Sequence, residues 1–401
     1  MRFLFLFSDT GGGHRASAQA VRNELDRLYG EAAQVEMVDF FKALGHWPFN
    51  RFPSWYPAML GLNGVPWGVG YRLTDRKDLV RALTHMVWPY THRPFRRVLY
   101  QNPADVIVSF HGVPNYVLQM TLRRMRRHVP TMVVVLDLVT VHAAWFAPGH
   151  DLYIVPTDAA KQRALDCGLD ADRLEVVGMP VRRTFVEAKD LPQREARAQL
   201  GLPDEVPVVL MVGGGEGMGP LKSVVCALAE QSPKAHLVVI TGRNQVLYQQ
   251  LSEQSFPVPL QVERFVSNME VWMRAADILV TKAGPNTISE AFVAGLPLVL
   301  YDALPGQEEG NVDHVVDHGA GIWAPHPEEA ADAVMALLSD DVRRQEMAAC
   351  SRQLAHPESA EIIARHIWQL GLQSWSSFGR GNTLRYAGGR NDGHAPLSPR
   401  F

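Results

Sequence analysis

The chain has few of the features that mark a disulfide scaffold, a metal cluster or a membrane span. Its three cysteines, Cys167, Cys226 and Cys350, lie far apart with neither metal-ligand spacing nor a paired framework, which fits a reducing cytoplasm. No apolar run approaches the roughly 18–20 residues needed to cross a bilayer. The opening MRFLFLF looks like the start of a signal peptide. Its apolar core is too short, and a glycine-rich loop follows at once, so it reads as a first buried strand. Net charge is only −3, which argues against wholesale nucleic-acid binding. No metal ligand set is read, so neither a metal nor another cofactor is expected.

What is present is an ordinary globular composition, 47% apolar and 20% charged over 401 residues, long enough for two domains. The charge is unevenly spread. Between positions 41 and 130 there are thirteen basic residues and three acids, a local +10 that leaves the remainder acidic.

Short apolar runs alternate with helical patterns from end to end, the signature of parallel, doubly wound sheets. Strands are expected at 2–7, 35–38, 106–110, 131–136 and 152–155, then at 208–212, 236–241, 260–262, 278–280, 296–301 and 321–323. Two strands run into glycine loops. Ser8 to His14 follows the first strand, with Gly12 and Gly13 opening a helix. Gly213 to Pro220 follows the strand at 208–212, with Gly214, Gly215 and Gly217. Such loops let backbone N–H groups approach an anion, and a helix N-terminus adds partial positive charge. The alternative at each is a tight turn with no ligand.

The stretch 280–311 organises the rest. Gly284–Pro285 breaks a strand, Asn286 is placed to cap the next helix, and Thr287 and Ser289 fall in its first turn. That helix is expected to end at Gly295 in a left-handed conformation. After the next strand, Gln307 and Glu308 stand at its carboxyl end, where open parallel sheets bind ligands. A phosphate-binding helix start beside hydroxyl-binding side chains points to a sugar nucleotide.

From 40 to 71 the regular pattern gives way to a proline- and glycine-rich segment crowded with aromatics, among them Trp47, Phe52, Trp55 and Trp67. Rings beside cations suit a surface dipping into anionic lipid, and Arg123, Arg124, Arg126 and Arg127 extend the basic patch. A lid packed on its own domain is the competing reading.

DTGGGHRASA (9–18), GMPVRR (178–183), GGGEGMG (213–219), TKAGPNTISEA (281–291) and PGQEEGN (305–311) together resemble glycosyltransferase family 28, in its monogalactosyldiacylglycerol synthase and processive diacylglycerol glucosyltransferase branch. The resemblance runs over about residues 1–370. It implies an α/β GT-B fold, two Rossmann-like domains facing a cleft, with a C-terminal helix crossing back to the first. The expected division is 1–185 for the acceptor and membrane domain, 186–205 for a linker and 206–355 for the UDP-sugar domain. A helix at 356–372 and a disordered tail at 373–401 follow.

It further implies inverting transfer of a hexose from UDP-galactose or UDP-glucose to the hydroxyl of diacylglycerol. The enzyme would sit peripherally on the cytoplasmic face of an anionic phospholipid membrane. By the same likeness Glu290 holds the ribose, Gln307 and Glu308 read the sugar, and Val266 meets the uracil. Gly214, Gly215, Gly217, Asn286 and Thr287 meet the diphosphate. His14 matches the family's Gly-Gly-His and is the expected base or acceptor orienter, with Asp137 in reserve. Open alternatives are a polyprenyl-linked acceptor, a UDP-sugar 2-epimerase and a non-catalytic nucleotide-sugar-binding subunit.

Overall fold

The computed structural model describes residues 1–9, 12–45, 49–51, 64–217 and 219–378. Trp47, Phe52, Trp55 and the expected tail from 379 onward lie outside the described residues. The first sheet is made of β1 (Arg2–Phe7), β2 (Gln34–Asp39), β3 (Val106–Ser109), β4 (Thr131–Val134), β5 (Leu152–Val155) and β6 (Leu174–Val176). Its order is β2-β1-β3-β4-β5-β6, every pair parallel. Phe3, Phe5, Val106, Val108 and Met132 are fully buried, as strands covered by helices on both faces require.

Around this sheet lie α1 (Gly13–Tyr29), α2 (Phe40–Leu44), α3 (Val65–Thr74), α4 (Lys77–Gln101), α5 (Pro114–Met125), α6 (Asp158–Asp166) and α7 (Arg183–Glu187). Helices α3 and α4 correct the expectation of an irregular segment reaching 71. The described part from Val65 is helical, and α4 runs on for 25 residues with Pro89 and Pro94 inside it.

The expected linker carries α8 (Gln193–Leu200), which packs on the second domain. Its Arg197 is buried and bonds Asp277 at 2.6 Å and the Ala275 carbonyl at 3.0 Å. The second domain then builds β7 (Val208–Val212), α9 (Leu221–Glu230), β8 (His236–Ile240), α10 (Gln245–Ser252), β9 (Leu260–Glu263) and α11 (Met269–Ala275). It continues with β10 (Ile278–Lys282), α12 (Pro285–Ala294), β11 (Leu298–Asp302), α13 (Glu309–Asp317), β12 (Gly321–Trp323), α14 (Pro327–Ser339) and α15 (Asp341–Gln353). The sheet order is β12-β11-β10-β7-β8-β9, again all parallel.

The last helix, α16 (Ser359–Phe378), crosses back to the first domain and runs past the 372 expected from the sequence. Trp368 stacks on Tyr29 of α1 with ring centres 3.9 Å apart, Ile363 and Ile367 are fully buried, and Glu361 pairs with Arg27 at 2.6 Å.

Each sheet has one topological switch point, between β1 and β3 in the first and between β7 and β10 in the second. Crevices at the carboxyl ends of such strands are where open parallel sheets take ligands.

Candidate active site at the two switch points

The first crevice is built by the loops after β1 and β3. His14 is the second residue of α1, and its Nδ1 lies 2.9 Å from the carbonyl oxygen of Phe110, just past β3. A carbonyl only accepts, so Nδ1 carries the proton and Nε2 carries the lone pair. The ring packs 4.6 Å from His111 and 6.1 Å from Trp145. Burial among these rings pushes the His14 pKa down to about 4, so the imidazole is neutral at pH 7.

Asp137 follows β4 and is buried. Trp145 Nε1 donates to its Oδ2 at 2.6 Å, and Gln307 Nε2 donates to its Oδ1 at 3.0 Å. Burial raises its pKa to about 6, with the two donors pulling the other way. Tyr71, on α3, bonds the Thr140 carbonyl at 2.9 Å beside it.

The second crevice is built by the loop after β7 and the start of α12. Gly214 takes a left-handed φ of 72°, and a side chain there would meet Lys282 Cε at 3.5 Å. Gly215 lies beside Arg243, which pairs with Glu216 at 2.7 Å. Gly217 has a packing reason of its own. At φ 58° a Cβ would lie 2.2 Å from the Thr241 carbonyl oxygen, so no other residue fits the turn.

Helix α12 is capped by Gly284 with no side-chain bond, which corrects the expectation that Asn286 caps it. Asn286 instead sits one residue inside the helix and reaches across the cleft. Its Nδ2 donates to Ser17 Oγ of α1 at 2.9 Å. Helix α1 also begins at a glycine, Gly12, with no side-chain cap, and Gly13 packs against Asn286. Two uncapped helix starts therefore face each other. Each leaves orphan N–H donors and a partial positive end, a pairing that an anion between them would relieve.

Thr287 follows in the first turn of α12, and Glu290 lies one turn on. Burial raises the Glu290 pKa to about 7, against the pull of nearby Arg182. Val266 is half-buried in the loop after β9, next to the exposed ring of Phe265.

Gln307 and Glu308 do different jobs here. Gln307 spans the cleft, donating to Asp137 and accepting from Trp67 Nε1 at 3.2 Å. Trp67, expected with the lipid-facing rings, is thus turned into the cleft. Glu308 is almost fully buried, with Oε1 2.6 Å from Lys282 Nζ and Oε2 accepting from the Leu304 amide at 3.0 Å.

Sequence reasoning overlooked Lys282, Tyr71 and Trp145. Only Lys282 left a signal, a charge closing an otherwise apolar strand. Arg123, Arg124 and Arg126 are exposed at the end of α5, and Arg127 lies over the Tyr100 ring at the end of α4. Among the described residues no group of three or more His, Cys, Asp or Glu is placed to hold a metal ion.

Two parallel domains with facing switch-point crevices define the GT-B class of glycosyltransferase fold. Solved structures show the same architecture. MurG of Acinetobacter baumannii matches with a TM-score of 0.59 at 18% identity, covering 92% of this chain and 99% of that one. The UDP-GlcNAc 2-epimerase of Neisseria meningitidis, bound to UDP-GlcNAc, matches with a TM-score of 0.59 at 14% identity, covering 92% and 100%. At such identities the likeness concerns the fold alone.

Sequence comparison goes further. Residues 14–181 match the family model for monogalactosyldiacylglycerol (MGDG) synthase, and residues 208–364 match the glycosyltransferase family 28 C-terminal domain. A probable monogalactosyldiacylglycerol synthase 2, chloroplastic, of Oryza sativa subsp. indica is 37% identical over 92% of this chain and 81% of its own length. Monogalactosyldiacylglycerol synthase 3, chloroplastic, of Arabidopsis thaliana is 35% identical over the same shares. The chain belongs to the monogalactosyldiacylglycerol synthase family and is a glycosyltransferase.

Proposed function

We propose that this enzyme transfers a hexose from a UDP-sugar to the free hydroxyl of diacylglycerol, with inversion at the anomeric carbon. Galactose is the donor sugar favoured by the relatives' names. The observation that carries the reading is the pairing across one cleft of His14, fixed as a neutral acceptor, with the uncapped start of α12. In this reading the diphosphate lies between the two helix starts, Glu290 holds the ribose hydroxyls, and Val266 lies at the uracil. Gln307 and Glu308 face the hexose.

The hydroxyl attacks C1 as the bond from C1 to the diphosphate oxygen breaks. The proton passes to His14 Nε2, and the electron pair leaves with the diphosphate. Incoming diphosphate brings negative charge that favours an imidazolium, so His14 gains proton affinity when the donor is bound. Asp137 is the weaker candidate for base, because both of its oxygens already accept bonds. Helix starts, loop amides and side chains supply the charge stabilisation, with no metal.

The acceptor reaches this cleft from a lipid surface. Val65, Val69 and Leu73 form an exposed apolar line on α3, and Leu79, Leu83, Met86 and Tyr90 form one on α4. Exposed Arg76, Lys77, Arg81, Arg93, Arg96 and Arg97 accompany them, so the occupant that fits is an anionic bilayer surface. Among the described residues no helix is long and apolar enough to cross a membrane.

The test is incubation of purified protein with UDP-galactose or UDP-glucose and anionic vesicles containing diacylglycerol. A β-linked monohexosyldiacylglycerol from the α-linked donor, formed undiminished in EDTA, is the expected product. Retained configuration, EDTA-sensitive turnover, isomerised UDP-sugar, or UDP binding without turnover would each overturn the part it addresses.

A further inference from the structure

Lys282 is absent from the roles assigned above, yet it ends β10 at the second switch point. Its Nζ lies 2.6 Å from Glu308 Oε1, and both side chains are largely buried, with 12% and 5% of their surface exposed. A Cβ added to Gly214 would lie 3.5 Å from Lys282 Cε, and one added to Gly284 would lie 3.5 Å from Nζ. The ammonium therefore stands between the glycine loop after β7 and the uncapped start of α12, the two parts that converge on the diphosphate position.

Asp302 is the next carboxyl here. Burial raises its pKa, and Lys282 pulls it down. Without Lys282, Glu308 and Asp302 would face an incoming polyanion without the buried cation that now balances them. Arg243, a second cation near the loop, is more than half exposed and already paired with Glu216.

We infer that Lys282 is a catalytic residue of the proposed transfer, acting on the leaving diphosphate. In the donor-free state Glu308 holds the ammonium. When the donor enters, a phosphate oxygen takes an N–H of Lys282, and Glu308 turns an oxygen to a hydroxyl of the hexose. As the C1–O bond breaks, the electron pair moves to the diphosphate oxygen and the Lys282 hydrogen bond strengthens. The proton stays on nitrogen throughout. The inference rests on the proposed UDP-sugar reading and adds one residue and one partner exchange to it.

The rival role is purely positional, with Lys282 serving only to hold Glu308 for the sugar. Calorimetric titration of the full chain with UDP and with uridine separates the two. For Lys282→Met, UDP affinity is expected to fall by about 10- to 100-fold, the range of a lost charge-assisted bond, while uridine affinity stays within about twofold. For Glu308→Gln, UDP affinity is expected to hold while hexosyl transfer is lost.

Lys282→Met leaves a buried carboxylate unpaired and could fail to fold. The double variant Lys282→Met/Glu308→Gln removes both charges and should show the same UDP loss in a folded chain. UDP binding at the wild-type level in either folded variant overturns the inference and leaves the UDP-sugar reading standing. No UDP binding by the wild-type protein would sink that reading first, and the inference with it.

Discussion

The two halves of the cleft share a topology and differ in chemistry. In each, a parallel sheet reverses its winding beside a glycine loop that opens a helix. The front half surrounds that point with His14, His111, Trp145 and Tyr71, and burial among these rings keeps the two imidazoles neutral. The rear half surrounds it with Lys282, Glu308, Asp302 and Arg243, groups that carry or balance charge. In the proposed reading one backbone layout serves proton transfer on one side and anion binding on the other. What decides is the set of side chains around the crevice.

The largest expected effect comes from removing the front half's acceptor. His14→Ala should lower kcat by about 10²- to 10⁴-fold, the usual worth of a general base, while UDP affinity stays unchanged. Steady-state kinetics beside UDP titration checks it, and equal losses in both would erase the division of labour.

Next in size is the exposed apolar and basic surface of α3 and α4, proposed above to meet lipid. Arg76→Glu/Arg81→Glu should weaken binding to anionic vesicles by about 10- to 100-fold at low salt, at about 1 kcal/mol per charge lost or reversed. Turnover on detergent-dispersed diacylglycerol should stay close to wild type. Co-sedimentation unaffected by the change would move the membrane contact elsewhere.

Smaller still is the bond that joins the halves. Gln307→Ala removes the bridge between Trp67 and Asp137 and should raise the donor KM by about 5-fold, the worth of one net hydrogen bond. An unchanged KM would make the bridge a resting contact with no part in donor binding.

The smallest effect is on stability against pH, and its sign differs between the halves. Folded Glu290 keeps its proton to about pH 7 instead of 4.5, so its contribution is present below 4.5 and is lost as pH rises to 7. Folded His14 loses its proton near pH 4 instead of 6.5, so its contribution is lost as pH falls through that window. Glu290→Gln should therefore raise Tm by about 1–2 °C at pH 8 relative to pH 5 when each is compared with wild type. Scanning calorimetry at the two values would show no such difference if the side chain were solvated, because its pKa would then be the same folded and unfolded.

Much of this was legible in the chain itself. Strands buried on both faces read as unbroken apolar runs, and glycine loops mark where they turn, so both sheets and both crevices could be placed. Strands β5 and β12 fall where the short apolar runs put them. Helix α4 was illegible for a physical reason. It buries Thr84, Thr91, Phe95, Val98 and Leu99 on one face while Leu79, Leu83, Met86 and Tyr90 lie exposed on another, and its two prolines read in the sequence as helix breakers. Apolar residues on both faces erase the period of 3.6.

Asn286 was misread because its type favours a cap, and only the approach of α1 shows that its amide is used across the cleft. Lys282 and Glu308, 26 positions apart, could be paired only by the fold, which sets β10 beside β11. Trp67 shows the same limit, since composition placed it at a lipid surface and its partner Gln307 lies 240 positions away.

The return of α16 to the front domain has a mechanical corollary. The rear domain is strapped to the front one twice, once where the chain enters it before β7 and again where it leaves after α15. Two straps fix a hinge line, as two pins do for a door, and leave swinging about that line as the easy motion while resisting twist. Fluorophores on the outer rims of the two domains would then report one distance that shortens when nucleotide binds. Cutting the chain between Gln353 and Ser359 would unfasten one pin and broaden that distance.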